Sequence, residues 1–284
     1  MIKIAFSHDY ILPLPKGHRF PMDKYALIPS QLLYERSYDE KNFFIPEIMD
    51  VDLIQHVHDK DYVKKVLKGE LSYKEIRRIG FPWSRQMVER ELLIVYGSIQ
   101  SAVYALTHGV SFNVAGGTHH AFTGHGEGFC IFNDIAVAAK YLIKTDLVQQ
   151  ILIVDLDVHQ GNGTAAIFND NSSIFTFSMH GAHNYPLRKE KSDMDIALDD
   201  GTTDGDYLLA LERILPPLIE KVKPDFIFFQ AGVDALNQDQ LGKLSLSVQG
   251  LKNRDKFVFQ TLLYYGIPVS VSMGGGYAKR LRDI

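Results

Sequence analysis

The sequence predicts an α/β fold: a mostly parallel central sheet covered by helices on both faces, in one domain over residues 1–284. Three observations carry this reading. From about residue 110 onward, short apolar runs alternate with longer helical patterns, the signature of strand–helix–strand units. The run Ile151-Leu152-Ile153-Val154 is apolar without alternation, as a strand buried on both faces must be. Finally, several strand-like runs lead directly into small and ionisable residues, which a parallel sheet brings to one edge.

Taken in order, Ile2 to Phe6 reads as the first strand. The N-terminal third after it is less regular, with Pro13, Pro15 and Pro21 in a long loop. Gln86 to His108 is a long, well-patterned helix, followed by a strand from Val110 to Ala115. Asn133 is a candidate cap for a helix from Asp134 to Ile143. A strand over Ile151 to Leu156 runs into Gly161-Asn162-Gly163, where the chain turns into a helix. Ile174 to Phe177 is the next strand. Asp206 to Val222 is helical in composition, but Pro216-Pro217 is expected to break or kink it. Phe226 to Gln230 and Val269 to Met273 complete the strands, with a helix from Val248 to Tyr265 between them, ended by Gly266 and Pro268. No internal repeat, low-complexity segment or linker interrupts the pattern.

Composition narrows the function. The chain has 284 residues, 46% of them hydrophobic, enough for a full core. Lys plus Arg is 30 against 34 for Asp plus Glu, a net charge of -4 without a basic run, which speaks against nucleic-acid binding by bulk charge. Cys130 is the only cysteine, so no disulfide forms within the chain, and a reducing compartment fits. Met1 to Phe6 turns polar too soon for a signal peptide, and no apolar stretch reaches the length of a membrane span. A soluble, cytoplasmic protein is the expectation.

The chemistry concentrates after Val154. Asp155, Asp157 and His159 alternate, so an extended chain would set them on one side. Burying them together is costly unless a cation offsets the desolvation, and Asp plus His is a ligand set suited to zinc. Alone, Asp157 and His159 would read better as a strand-end ion pair. Asp234 changes the balance, because it ends a second buried strand among glycines. Two carboxylates and one imidazole leave a fourth position open, as catalytic zinc sites do, and a single cysteine excludes the cysteine-rich structural sites.

His119-His120 could be ordinary surface residues, but they follow Gly116-Gly117 after a strand, where imidazoles suit acid–base work near neutral pH. Asp155 is either a caged carboxylate or the group that orients one of these rings. Tyr277 follows three glycines, and is either a surface aromatic or a hydroxyl brought to an oxyanion. Gly274-Gly275-Gly276 lacks the lysine and spacing of a phosphate loop. His125 and His183 read as ordinary loop residues, and His8, His56, His58 and His108 have no supporting context.

Gly116-Gly117-Thr118-His119-His120, Gly128-Phe129-Cys130, Asn133-Asp134, Asp155 through Gly163, Gln230-Ala231-Gly232-Val233-Asp234 and Gly274-Gly275-Gly276-Tyr277 together resemble the zinc-dependent histone deacetylase family. That family includes bacterial acetylpolyamine amidohydrolases and acetoin-utilisation proteins. The resemblance runs over nearly the whole chain in the family's order. Leu241 through Ser247, Arg254-Asp255 and His159-Gln160-Gly161-Asn162-Gly163 are further similar to its class IV branch, shared by many bacterial proteins.

The resemblance implies an arginase-like three-layer α/β/α sandwich. By position it implies zinc ligands Asp157, His159 and Asp234, the tandem histidines His119 and His120, and Tyr277 as the transition-state tyrosine. It also implies a structural potassium site at Asp155, Asp157, His159, Ser178 and Met179, and an acyl tunnel at Gly128 and Phe129. The chain departs from the pattern at Asn162, where many class I relatives carry an aspartate against the second histidine. It also ends at Ile284, seven residues past Tyr277, where relatives usually continue into a further helix, so a shortened C-terminus is expected.

The expected function is hydrolysis of an N-acyl group from an amine, foremost acyl-lysine in a protein or peptide. The alternatives are the same chemistry on a small molecule such as an acetylpolyamine, which would need acidic residues at the rim, and a non-catalytic acyl-lysine binding module. The complete set of metal and acid–base residues weighs against the last. Composition and motifs leave acyl preference and oligomeric state open.

Overall fold

The structure, a computed structural model, describes residues 1–284. In chain order the elements are β1 (Lys3–Ala5), α1 (Lys24–Tyr34), β2 (Phe43–Phe44), α2 (Lys60–Lys68), α3 (Tyr73–Ile79), α4 (Arg85–His108), β3 (Val110–Asn113), α5 (Asp134–Lys144), β4 (Ile151–Asp155), α6 (Asn162–Phe168), β5 (Ile174–Gly181), β6 (Met194–Leu198), α7 (Asp204–Val222), β7 (Phe226–Gln230), α8 (Val248–Tyr265) and β8 (Val269–Ser272). The eight strands form one sheet in the order β2-β1-β3-β8-β7-β4-β5-β6. Every pairing is parallel.

Alternation along the central strands divides the core in two. Ile151 and Ile153 of β4 join Phe226 and Phe228 of β7 in a cluster with Ile94, Ala102, Ile135 and Leu142 of α4 and α5. Leu152, Val154, Ile227 and Phe229 point the other way, into a cluster with Leu211, Leu215, Val258 and Leu262 of α7 and α8. The result is the three-layer α/β/α sandwich. No helix is long and apolar enough to cross a membrane.

Local signals account for the long helices. Asn133 caps α5 by accepting from Ala136 N at 3.0 Å, and Ser247 caps α8 by accepting from Gly250 N at 3.0 Å. The helix α8 ends at Gly266, whose φ of +67° closes it in the left-handed conformation.

The structure corrects four expectations. Pro216 and Pro217 do not break α7, which runs unbroken from Asp204 to Val222. An interior proline costs about 3 kcal/mol. Burial of Leu211, Leu215, Leu218 and Ile219 against the sheet, at about 1.5–3 kcal/mol each, offsets both. Second, the N-terminal third is more regular than expected, holding α1, α2, α3 and the edge strand β2. Third, the strand expected to stop at Phe177 continues to Gly181, because its outer neighbour β6 pairs with it from Phe177↔Met194 to Gly181↔Leu198. Fourth, the chain does not stay extended to His159: β4 ends at Asp155.

Candidate active site

The carboxyl ends of β3, β8, β7 and β4 lie side by side, the loops leaving β3, β4 and β8 line one cavity, and the loop leaving β7 brings Asp234 up behind it. Beyond Asp155 the chain bends twice. Asp157 N donates to Asp155 Oδ1 at 3.1 Å, and His159 N donates to Asp157 Oδ1 at 3.0 Å, two successive side-chain-closed turns. These turns, and not strand alternation, sort the three residues. Asp155 is directed to His119, while Asp157 and His159 meet Asp234. Asp234 is held by Val158 N, which donates to its Oδ1 at 2.9 Å.

Asp157, His159 and Asp234 are all buried, and each offers one ligand atom within 4.8 Å of the others. His159 Nδ1 lies 3.2 Å from Asp157 Oδ1 and 3.0 Å from Asp234 Oδ2. Burial opposes a charged imidazole, but the two carboxylates outweigh it and hold His159 up at about 10. Burial and the neighbouring Asp157 push Asp234 up to about 7. Two crowded, buried carboxylates against one imidazole form a group that a divalent cation would satisfy. The backbone around them leaves room only for glycine. A Cβ on Gly275 would fall on the carboxylate of Asp234, and one on Gly232 on that of Asp157. Gly275 N instead donates to Asp157 Oδ2 at 2.7 Å. Donor set, burial and cradle therefore fit zinc at these three residues.

The tandem histidines sit in different surroundings. His119 Nδ1 is 2.7 Å from Asp155 Oδ2. Burial favours its neutral ring, yet Asp155 and Asp157 outweigh that and raise it above the ordinary value. His120 Nδ1 donates to Asn162 Oδ1 at 2.6 Å. Burial, then the positive character of His119 and His159, holds His120 well below the ordinary value.

Asn162 is itself oriented from behind. Its Nδ2 donates to Glu127 Oε1 at 2.8 Å, and Tyr185 OH donates to the same oxygen at 2.6 Å. A carboxylate only accepts, so Glu127 turns the amide NH2 of Asn162 toward itself and the carbonyl toward His120. That places the proton of His120 on Nδ1 and leaves Nε2 with its lone pair facing the cavity. Burial opposes ionisation of Glu127, but hydrogen bonds from His125, Tyr185 and Asn162 prevail and bring it down to about 2.

Tyr277 and Phe129 form the aromatic wall, 6.1 Å apart between ring centroids, with Tyr277 6.3 Å from the ring of His159. Phe129 holds φ at +67°, a left-handed conformation uncommon for a bulky residue. Phe129 N donates to Ile79 O at 2.7 Å and Gly128 N to Arg78 O at 3.1 Å, which ties the wall to the end of α3. Tyr277 N donates to Asp239 Oδ2 at 2.6 Å. Outward from His120, His159 and Tyr277 the cavity opens to about 340 Å³.

Ser178 and Met179 lie inside β5, buried, with Ser178 in register with Asp155. Ser178 Oγ is 2.9 Å from His180 Nδ1. The structure thus gathers His119, His120, Tyr277, Asp157, His159, Gly128 and Phe129 around one cavity. It places Asp155, Asn162 and Asp234 directly behind them, with Ser178 and Met179 one strand away. His183, read as ordinary, reaches the cavity mouth, whereas His58 is structural: its Nε2 accepts from Asn133 N at 2.9 Å.

Three residues escaped the sequence reading. Glu127 stands in an irregular loop with no pattern to mark it. Buried Lys24 sends Nζ to Gly274 O at 3.3 Å and lies 5.8 Å over the Tyr277 ring, holding the glycine loop. Arg254, noted only as part of a resemblance, is fully buried and donates to Gly232 O at 2.6 Å and Leu156 O at 3.2 Å, tying α8 to the turns that carry Asp234 and Asp157.

Known proteins are similar to this chain in sequence and in fold. Residues 18–283 match the histone deacetylase domain. An uncharacterized protein of Picosynechococcus sp. is 46% identical over 281 residues, covering 99% of this chain and 94% of that one. Histone deacetylase 2 of Arabidopsis thaliana is 28% identical over 294 residues, covering 98% and 75%. A crystal structure of a histone deacetylase homologue complexed with SAHA superposes with a TM-score of 0.84 at 26% identity, over 97% of this chain and 79% of that one. Since the matched domain takes in every strand that supplies the cavity floor, the chain belongs to the histone deacetylase family of amide hydrolases.

Proposed function

We propose that the chain removes the acyl group from an N-acylated amine by zinc-dependent hydrolysis, with acyl-lysine in a peptide or protein as its substrate class. One observation carries the reading: Asp157 and His159 of the buried Asp157–His159–Asp234 group line the same cavity as His120 and Tyr277. Zinc held there would polarise the amide carbonyl and lower the pKa of water. A potassium ion at Asp155, Asp157, His159, Ser178 and Met179 would be structural.

His120 Nε2, its lone pair preserved by Asn162, accepts the proton of the attacking water. The water oxygen bonds to the carbonyl carbon, and Tyr277 OH donates to the oxyanion that develops. The C–N bond then breaks as an imidazolium returns that proton to the leaving nitrogen, giving a carboxylic acid and a free amine, between which the remaining water proton passes to leave a carboxylate and an ammonium. His119, its Nδ1 2.7 Å from Asp155 Oδ2, lines the same cavity beside His120. Gly128 and Phe129 flank the acyl-bearing arm of the substrate.

Zinc content by mass spectrometry and turnover of a fluorogenic acyl-lysine test this together. One zinc per chain, activity lost on chelation and restored by zinc, and inhibition by SAHA are expected. Protein that carries full zinc yet hydrolyses no acylated amine would overturn the reading.

A further inference from the structure

Rims of enzymes that take cationic amines need carboxylates, and this cavity has the opposite lining. Outward from His120 and Tyr277 it is bordered by Arg19, Arg77, Arg78 and Lys243, with no aspartate or glutamate among the residues that line it. All four are exposed. No carboxylate oxygen lies within 4.0 Å of Arg19, Arg77 or Arg78, while Lys243 is 3.9 Å from Asp200. The chain as a whole carries a net charge of -4, so this local excess is not a sample of the bulk surface.

The cations come from three separate segments, each fixed to the cavity. Arg77 and Arg78 occupy the last turn of α3, where a helix C-terminus favours positive charge. That dipole accounts for two of them and Asp200 stands beside Lys243, which leaves Arg19 without a local reason. Arg78 O and Ile79 O receive the tunnel-wall donors Gly128 N and Phe129 N, so the helix end cannot drift from the wall. Arg19 lies between His18, which donates from Nε2 to Gly80 O at 2.8 Å, and Phe20, 5.3 Å from the Phe129 ring. Lys243 N donates to Asn184 Oδ1 at 3.2 Å.

We infer that the mouth selects acylated amines bearing a carboxylate on the amine side of the scissile bond, and disfavours polycationic ones. This rests on the reading that the amide is cut at the floor, since the half of the substrate that leads out to solvent then passes these residues. Several uncompensated cations at one opening raise the local concentration of anions and repel polyamines. The carboxylate has two sources: acidic side chains flanking an acyl-lysine in a peptide, or the α-carboxylate of free Nε-acyl-lysine.

The test is a matched set of acetylated compounds on zinc-loaded enzyme. It comprises acetyl-lysine peptides flanked by Asp, Asn or Lys, free Nε-acetyl-lysine and its amide, and acetylspermidine. Asp-flanked peptides should exceed Lys-flanked ones in kcat/KM on the order of tenfold at low salt, with most of the gap closing at high ionic strength. A gain for free acetyl-lysine over its amide identifies the α-carboxylate as the source, and a gain confined to Asp peptides identifies flanking side chains. In Arg77→Glu/Arg78→Glu the Asp-to-Lys ratio should reverse, with zinc content unchanged and Tm lowered by at most a few degrees, because negative charge opposes the helix C-terminus. Equilibrium binding of the same set to Tyr277→Phe separates the rim from the chemistry. If nothing is hydrolysed but anionic compounds bind more tightly, the reaction assigned above fails and the rim stands. Equal or tighter binding of cationic compounds, or faster turnover of acetylspermidine, overturns the inference.

Discussion

The floor and the mouth of the cavity treat charge in opposite ways. At the floor, the carboxylates and imidazoles are paired and mostly buried: Asp155 with His119, Asp157 and Asp234 with His159, and half-buried Glu127 with Asn162 and Tyr185. At the mouth, Arg19, Arg77 and Arg78 are exposed and unpaired. Buried charge is tolerated only when geometry compensates it, so the floor specifies one chemistry. Exposed charge costs little and acts at a distance, so the mouth governs which molecule arrives. Disturbing the floor should therefore change turnover, and disturbing the mouth should change selectivity.

The largest effect is expected for Asp234→Asn, which keeps an acceptor for Val158 N but weakens the metal group. Zinc should fall well below one per chain and turnover by at least ~1000-fold, with the circular dichroism spectrum preserved. Full zinc occupancy in this variant would remove Asp234 from the ligand set. His120→Ala should follow, at about 100-fold or more in kcat, because it deletes the proton acceptor. His119→Ala should cost less, and the reverse ranking would exchange the roles of the two rings. Tyr277→Phe should reduce kcat by about 100-fold with zinc retained, since one oxyanion donor is lost. Near-normal turnover would show that its hydroxyl does not reach the reacting carbonyl.

Glu127→Gln probes the support behind the floor and should cost about tenfold in kcat, because a glutamine no longer dictates which way Asn162 turns. The same variant carries a pH signature. Glu127 titrates at about 2 when folded, below the ordinary carboxylate, so its stabilisation is complete above pH ~4.5 and vanishes as pH falls toward 2. The full shift would be worth ~3 kcal/mol, and solvent on the open side of the carboxylate reduces it to about 1–2 kcal/mol. Urea unfolding of zinc-stripped wild type and variant at pH 7 and pH 3 should show the difference shrinking at low pH. A gap as wide at pH 3 as at pH 7 would detach the stabilisation from the carboxylate's ionisation.

Legibility followed the range of the interactions. The central strands, α4, α5 and α8 were readable because period, caps and apolar runs are local, and Asn133, Ser247 and Gly266 do cap as their types suggest. Local signals also existed for two helices that escaped notice. Ser72 and Glu75 form a capping box on α3, and Gly69 ends α2 with φ at +73°. Both helices are short, and a short periodic stretch is hard to tell from a loop. The strand β6 was hidden for another reason: its pairing with β5 is what makes it a strand.

By itself, the sequence determined the α/β layering, the sheet edge that carries the polar residues, and the identities of Asp157, His159, Asp234, His119, His120 and Tyr277 as its candidates. These follow from residue type and spacing, which act over a few positions. Tertiary structure alone decided how those residues are divided. Two turns after Asp155 send one carboxylate to His119 and leave the other with His159. Thirty-five residues separate Glu127 from the Asn162 it orients. Gly274 is held by Lys24 from 250 positions away, and three distant segments meet as the cationic mouth. Contacts of such separation leave no period and no motif in a chain. They exist only once the sheet has brought its strand ends together, and for that reason the partner of each charge had to be seen in space.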